Sequence, residues 1–202
     1  TASEQTSVAQ SLGISARLLQ QRNHAALERR RTPMPRKPRH KMPDGSQMAA
    51  IGDSVMLASS KGLQDTFPNI IVDAEVSRSM AKGLVDQLKA QGNLRPWVLV
   101  GLATNSVVTN DQLDDLLNDV GPDHVLVLIN AHAPVSWVPG TNAVLKQFAA
   151  AHSNNVVLVD WDGTISQHAD ELAGDGIHPG MSNTIYAQAV KDSIAAWIKQ
   201  GH

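Results

Sequence analysis

Ser54, Asp175 and His178 have the residue types and the order for covalent acyl chemistry. Ser54 ends the run Gly52-Asp53-Ser54, directly after an apolar stretch. Asp175-Gly176-Ile177-His178 lies just before the last apolar-periodic stretch. A serine hydroxyl at a strand end becomes a nucleophile when an imidazole takes its proton, and an Asp three residues before that His can hold the imidazole in the right tautomer. The order Ser…Asp…His is that of a hydrolase or acyltransferase triad in a βαβ protein. Asn105, in Gly101-Leu102-Ala103-Thr104-Asn105, adds a side-chain amide that can donate to a developing oxyanion. Each residue also has an ordinary role open to it. Ser54 can be a helix N-cap, Asn105 a turn residue, and a loop His in a chain with eight of them can simply be solvated.

The elements that must position these residues are legible as short apolar runs at 48–52, 70–74, 97–101, 125–130 and 156–160. They are continuous rather than alternating, as expected for strands buried on both faces. Helical stretches are expected at about 55–65, 79–92, 110–119 and 141–152. A last one, at 182–199, puts Ile185, Ala189, Ile194 and Ile198 on one face. Strands alternating with helices predict an α/β domain in three layers with about five parallel strands and right-handed crossovers. Ligands of such sheets sit at the carboxyl ends of the strands. Ser54, Ser77, Asn105 and the 131–140 loop each follow a strand, so all four are expected on one rim.

The chain of 202 residues suits one domain with an appendage, and 42% apolar residues suffice for a core. With no Cys there is no disulfide and no thiolate chemistry. No apolar run approaches a membrane span. The chain starts at Thr1 without Met and is expected to be a processed product or part of a longer chain. Its net charge of −2 hides an asymmetry. Residues 1–46 hold nine Lys/Arg against three Asp/Glu, and residues 47–202 hold eight against sixteen. An acidic body argues against a nucleic-acid partner. Residues 3–31 read as a helix with a modest stripe of Leu12, Ile14, Leu18, Leu19 and Leu27. Residues 32–46 read as a linker, basic through Arg36, Lys37, Arg39 and Lys41 and kept extended by Pro33, Pro35, Pro38 and Pro43. The expected division is therefore a helical arm with a basic Pro-rich linker over 1–46, and a catalytic domain over 47–202.

Taken together, Gly52-Asp53-Ser54, Asn105 and Asp175-x-x-His178 resemble, in order, the first, third and last blocks of the SGNH (GDSL-like) hydrolase family. Ile51–Leu57, Val72–Arg78, Gly101–Asn105, Val159-Asp160-Trp161 and Asp175–His178 carry a closer likeness to the extracytoplasmic SGNH domain of bacterial cell-envelope O-acetyltransferases of the peptidoglycan type. The resemblance implies a serine-dependent O-acetyltransferase in which Ser54 is acylated, His178 is the base and Asp175 orients it. The backbone N–H groups of Ser54 and Ser77 and the Asn105 side chain then form the oxyanion hole. It implies no cofactor and no metal. It also implies an acetyl donor relayed by an upstream membrane acyltransferase domain and a cell-envelope glycan or glycolipid acceptor. The domain would sit at the extracytoplasmic face of a bacterial membrane, with the basic linker near the membrane surface. Three departures stand out. Ser77 occupies the place of the second-block Gly, Ala103 that of a Gly in the third block, and Pro134-Val135-Ser136-Trp137 lacks the Arg of the family's Pro-Arg-x-Trp. Pro134, Val135 and Trp137 are the candidates for substrate contact.

Three other functions remain open on sequence. A carbohydrate esterase or deacetylase would use the same triad with water as acceptor. A glycan-binding domain could carry the fold without the chemistry. Asp160-Trp161-Asp162-Gly163-Thr164 also follows an apolar run as in haloacid-dehalogenase-type phosphatases. Those enzymes, however, need a later Lys and a further acidic pair for Mg²⁺, and too little chain follows Asp162 to supply them.

Overall fold

The computed structural model describes residues 2–31 and 39–202. It contains two units, divided between Lys37 and Pro38. The first is a single helix, α1 (Ala2–Arg31), on which Val8, Leu12, Ile14, Leu18, Leu19 and Leu27 are all exposed. Of the expected linker, residues 32–38 lie outside the described residues.

The second unit is a three-layer α/β domain. Its strands are β1 (Met48–Gly52), β2 (Ile71–Ala74), β3 (Trp97–Gly101), β4 (Val125–Ile129) and β5 (Val156–Val159). They form one parallel sheet in the order β2-β1-β3-β4-β5. Side chains along each strand point alternately to the two faces. Met48, Ala50, Leu99, Val125, Val127, Ile129, Val157 and Val159 face one core, while Ile51, Val98, Val100, Leu126, Leu128 and Val156 face the other. The first core is covered by α2 (Ser54–Ala58), α3 (Ser60–Thr66), α7 (Trp161–Ser166) and α8 (Ile185–Lys199). The second is covered by α4 (Leu84–Ala90), α5 (Asn110–Val120) and α6 (Val138–Ala151). The helices after β1 and β3 thus leave to opposite faces of the sheet. This is the topological switch point, and it opens a crevice beyond the carboxyl ends of these two strands.

Three helix expectations change. The one expected at 79–92 is confined to α4, Leu84–Ala90, behind Gly83 with φ of 85°. The stretch 55–65 is two helices that meet at buried Ser59, whose hydroxyl bonds Val55 O at 2.9 Å and accepts from Asn183 Nδ2 at 3.3 Å. The six-residue α7, absent from the sequence reading, is capped by Asp160, which accepts from Gly163 N.

Residues 39–46, expected in the linker, are docked on the second unit. The backbone N–H groups of Arg39 and His40 donate to His202 O at 2.5 and 3.0 Å. The His40 ring lies against Trp97 and Trp197, with centroids 5.6 and 5.1 Å away. Gly45 is buried, and its carbonyl accepts from Arg95 Nη1, as do those of Met48 and Asn69. A chain truncated to start at Arg39 is therefore expected to match the whole chain in a test of small acetyl-ester cleavage. One starting at Gly45 loses the His40–tryptophan contacts, and its Tm is expected to fall by about 4–8 °C, equivalent to about 2 kcal/mol in a domain of this size. Equal Tm values in thermal denaturation would show that residues 39–44 contribute nothing to the fold.

Candidate active site

The site forms in the switch-point crevice. Ser54 is the first residue of α2, immediately after β1 and Asp53. Asp53, not Ser54, is the helix cap, and its Oδ1 accepts from Val55 N at 2.9 Å. Ser54 is thereby relieved of the capping role left open by the sequence. As the first helical residue its N–H has no intrahelical acceptor. Gly52 lets the helix fold back on its own strand, since a Cβ there would meet the Met56 side chain at 2.5 Å. The Ser54 hydroxyl lies 2.7 Å from His178 Nε2.

His178 stands on the loop before α8, on a turn built by Asp175. Asp175 Oδ1 accepts from Ile177 N at 2.9 Å and His178 N at 3.1 Å, while Oδ2 meets His178 Nδ1 at 2.6 Å. Gly176 takes the left-handed conformation that the turn requires, with φ of 69°. The His178 hydrogen bond, followed by the two backbone N–H bonds, lowers the Asp175 pKa to about 2. A depressed carboxyl of this kind stabilises the loop above its unfolded value near 3.8, and that contribution is lost as pH falls through about 2. Asp175 is therefore a carboxylate across the neutral range. A carboxylate only accepts, so His178 Nδ1 carries the ring proton and Nε2 turns a lone pair to the Ser54 hydroxyl. Ser54, His178 and Asp175 are joined in the geometry of a Ser-His-Asp triad.

Ser77 and Asn105 are brought together by Arg78. The Glu75–Arg78 turn closes through Arg78 N to Glu75 O, with Ser77 at φ of 64°. This is the positive value that a type II turn needs at its third position, and it costs a non-glycine residue about 1–2 kcal/mol. The closing bond uses Arg78 N and leaves the Ser77 N–H outside it. The Arg78 side chain is nearly buried. It donates to Asp73 O at 2.7 Å and Gly52 O at 3.4 Å, and pairs with Asp73 and Glu75 at 3.0 and 2.9 Å. The Ser77 turn is thus tied to the end of β1, next to Ser54. Asn105 Nδ2 donates to Arg78 O at 3.0 Å, which joins the loop after β3 to the same turn and leaves its second amide hydrogen available. The sequence signalled Ser77 and Asn105. The Arg78 clamp escaped it, because two of its acceptors are the backbone carbonyls of Gly52 and Asp73, which no residue type announces.

Beneath the triad, burial raises the Asp53 pKa, partly offset by the neighbouring Thr104 side chain, by the Val55 N–H bond to its Oδ1 and by the nearby Met56 N–H and His178. Asp53 Oδ2 is sealed without a hydrogen-bond partner. The Tyr186 hydroxyl is also buried and its pKa raised, by burial first and by Asp53 second.

The 134–137 candidates separate. Pro134 lines a cleft of about 560 Å³ that also includes Gly176 of the triad loop. Val135 packs partly against the second core. Trp137 is 37% exposed, and its Nε1 donates to Thr104 O at 3.0 Å. The carboxylates of the phosphatase-like stretch are engaged elsewhere: Asp160 Oδ1 accepts from Asn130 Nδ2 and Gly163 N, and Asp162 Oδ1 lies 2.7 Å from His132 Nδ1. Among the described residues no group of three or more His, Cys, Asp or Glu is placed to hold a metal ion.

No family model matches the chain. Individual proteins do. The Bacillus subtilis (strain 168) protein YrhL, provisionally named a peptidoglycan O-acetyltransferase, is 36% identical over 149 residues, covering 72% of this chain and 23% of YrhL. The peptidoglycan O-acetyltransferase OatA of Listeria monocytogenes is 34% identical over 135 residues, 66% of this chain and 21% of OatA. The chain thus spans less than a quarter of the length of these relatives. Among solved structures, the C-terminal catalytic domain of Streptococcus pneumoniae OatA superposes with a TM-score of 0.64 at 21% identity, over 80% of this chain and 96% of that one. A lipolytic G-D-S-L family member from Veillonella parvula superposes with a TM-score of 0.53 at 15% identity, over 71% of this chain and 94% of that one. The chain has the fold of the OatA catalytic domain and of the G-D-S-L family member. Its similarity in sequence is to proteins named for peptidoglycan O-acetylation.

Proposed function

We propose that this chain is the catalytic domain of an O-acetyltransferase that moves an acetyl group through Ser54 onto a hydroxyl of a bacterial cell-wall glycan. The observation that carries this reading is the continuous hydrogen-bonded line from Ser54 Oγ through His178 to Asp175. In the first half-reaction Ser54 Oγ bonds the acetyl carbonyl carbon and its proton passes to His178 Nε2. The carbon–oxygen bond to the donor then breaks, and the departing donor oxygen takes that proton. In the second, the acceptor hydroxyl gives its proton to His178 as its oxygen attacks the acetyl-serine, and the Ser54 hydroxyl is restored. The Ser54 and Ser77 N–H groups and the Asn105 amide stabilise the oxyanion in both. The acetyl donor is supplied by a membrane acyltransferase domain upstream. This domain works at the extracytoplasmic face, and the basic segment before it lies near the membrane surface. No helix among the described residues is long and apolar enough to cross a membrane.

The test is to trap the intermediate. Exposure to an activated acetyl ester followed by acid quench should leave acetyl on the peptide holding Ser54, and adding a soluble β-1,4-linked N-acetylhexosamine oligomer should discharge it as acetylated sugar. Discharge to acetate alone, at every acceptor concentration, would make the domain an esterase. Failure to acetylate Ser54 would remove the covalent mechanism.

Asn105→Ala is expected to lower kcat by on the order of 10²–10³ while changing KM little, because the donor acts on the oxyanion rather than on the ground-state carbonyl. A change confined to KM would move Asn105 into substrate binding.

A further inference from the structure

The same domain holds a second His–Asp pair that the triad does not use. His132 follows β4 at the sheet rim, and its Nδ1 lies 2.7 Å from Asp162 Oδ1. The two are fixed from both sides. Asn142 receives Ala131 N at 3.0 Å and donates to Ala131 O at 2.8 Å, clamping the residue before His132. Asp162 N donates to Asn130 Oδ1 at 2.9 Å, and Asn130 Nδ2 donates to Asp160 Oδ1 at 2.8 Å. The Asp160-x-Asp162 pair that looked phosphatase-like in the sequence therefore serves to hold the 130–132 segment. A side chain held by this many contacts is pre-organised, as binding groups are.

His132 has no nucleophile of its own. Its neighbouring hydroxyl, Ser166 Oγ, is 3.5 Å away on the Nδ1 edge and donates instead to Asp162 O at 2.6 Å. With Nδ1–H given to the Asp162 carboxylate, Nε2 is the ring's remaining acceptor, and both contacts of the ring, to Asp162 and to Ser166, are on the Nδ1 edge. The pair lines the cleft of about 560 Å³, together with Pro134, Pro139 and Gly176. Gly176 follows Asp175 on the turn that carries His178, so the cleft adjoins the triad loop. Its lining offers two acceptors, His132 Nε2 and Asp162 Oδ2, and the second Nδ2 hydrogen of Asn142, beside two prolines. That combination suits a ligand that donates through hydroxyls and presents a C–H face, which is a pyranose ring.

We infer that the His132–Asp162 cleft binds a sugar ring of the acceptor glycan, with His132 Nε2 accepting a hydrogen bond from a sugar hydroxyl. This rests on the acetyltransferase reading above. Binding there would hold the acceptor over the acetyl-serine and favour transfer over hydrolysis.

The test uses the soluble β-1,4-linked N-acetylhexosamine oligomer as acceptor. His132→Ala is expected to raise the acceptor KM about tenfold with little change in kcat for transfer. The ratio of transfer to hydrolysis at subsaturating acceptor should fall by the same factor. A merely structural role would lower both products together and leave the ratio intact. His132→Gln, whose amide oxygen can accept, should recover part of the loss. An unchanged ratio and KM in His132→Ala, with the protein folded by circular dichroism, would overturn the proposal.

A second measurement keeps it testable if transfer itself is absent. Titrating the oligomer into Ser54→Ala should shift the ring ¹⁵N resonance of His132 and saturate, and the affinity should fall about tenfold in Ser54→Ala/His132→Ala. Equal affinities, or no saturable shift, would reject the cleft as a sugar site whatever the fate of the acetyltransferase reading.

Discussion

Ser54→Ala is expected to lower acetyl-ester cleavage and acetyl transfer by on the order of 10⁴-fold or more, with the fold intact. In the proposed reaction the hydroxyl is the attacking group, and among the described residues it is the hydroxyl that meets His178 Nε2, at 2.7 Å. The fold should survive because the start of α2 is held by Asp53, whose carboxylate caps Val55 N. His178→Ala should lose about as much, and the double variant should be no worse than either single one. The serine and the imidazole act as one unit, so removing either removes the same step. Turnover of an activated acetyl ester by the three variants, with circular dichroism as the control, checks this. Near-full turnover by Ser54→Ala would reduce Ser54 to a helix residue. A double variant far worse than the singles would mean that the two act in separate steps.

How far the sequence reached follows from where each residue's partners lie. The strands were legible to within a residue at each end, because a sheet buried on both faces needs continuous Val, Leu and Ile. The rim positions of Ser54, Ser77, Asn105 and the 131–140 loop then followed from parallel topology. The His178–Asp175 bond was legible because both residues belong to one four-residue turn. Features built by long-range contacts were not. Residues 39–46 looked like linker because their holding partners, Trp97, Trp197 and the His202 carbonyl, are far along the chain. The break at Ser59 depends on Asn183, and α7 is too short to show a helical period. The His132–Asp162 pair spans β4 to α7, so it appeared in the sequence only as a loop His and a misleading Asp-x-Asp.

Asp175→Asn is expected to cost about 10³–10⁴-fold in turnover, at the upper end of what loss of a triad carboxylate causes. The reason lies in the turn. Asp175 Oδ1 accepts from the N–H groups of Ile177 and His178, and Oδ2 accepts from His178 Nδ1. An asparagine has one oxygen. Two backbone donors compete for it against a single ring N–H, so the oxygen stays on the backbone and the NH₂ group turns to the imidazole. Nδ1 must then accept, and the ring proton moves to Nε2, facing Ser54. The base is still in place but holds the wrong tautomer, with no lone pair for the serine proton. The histidine ring ¹⁵N shifts should report this directly: protonated Nδ1 in the wild type, protonated Nε2 in the variant. A loss under tenfold together with an unchanged tautomer would show that another contact orients His178, and Asp175 would then hold the loop without setting the proton.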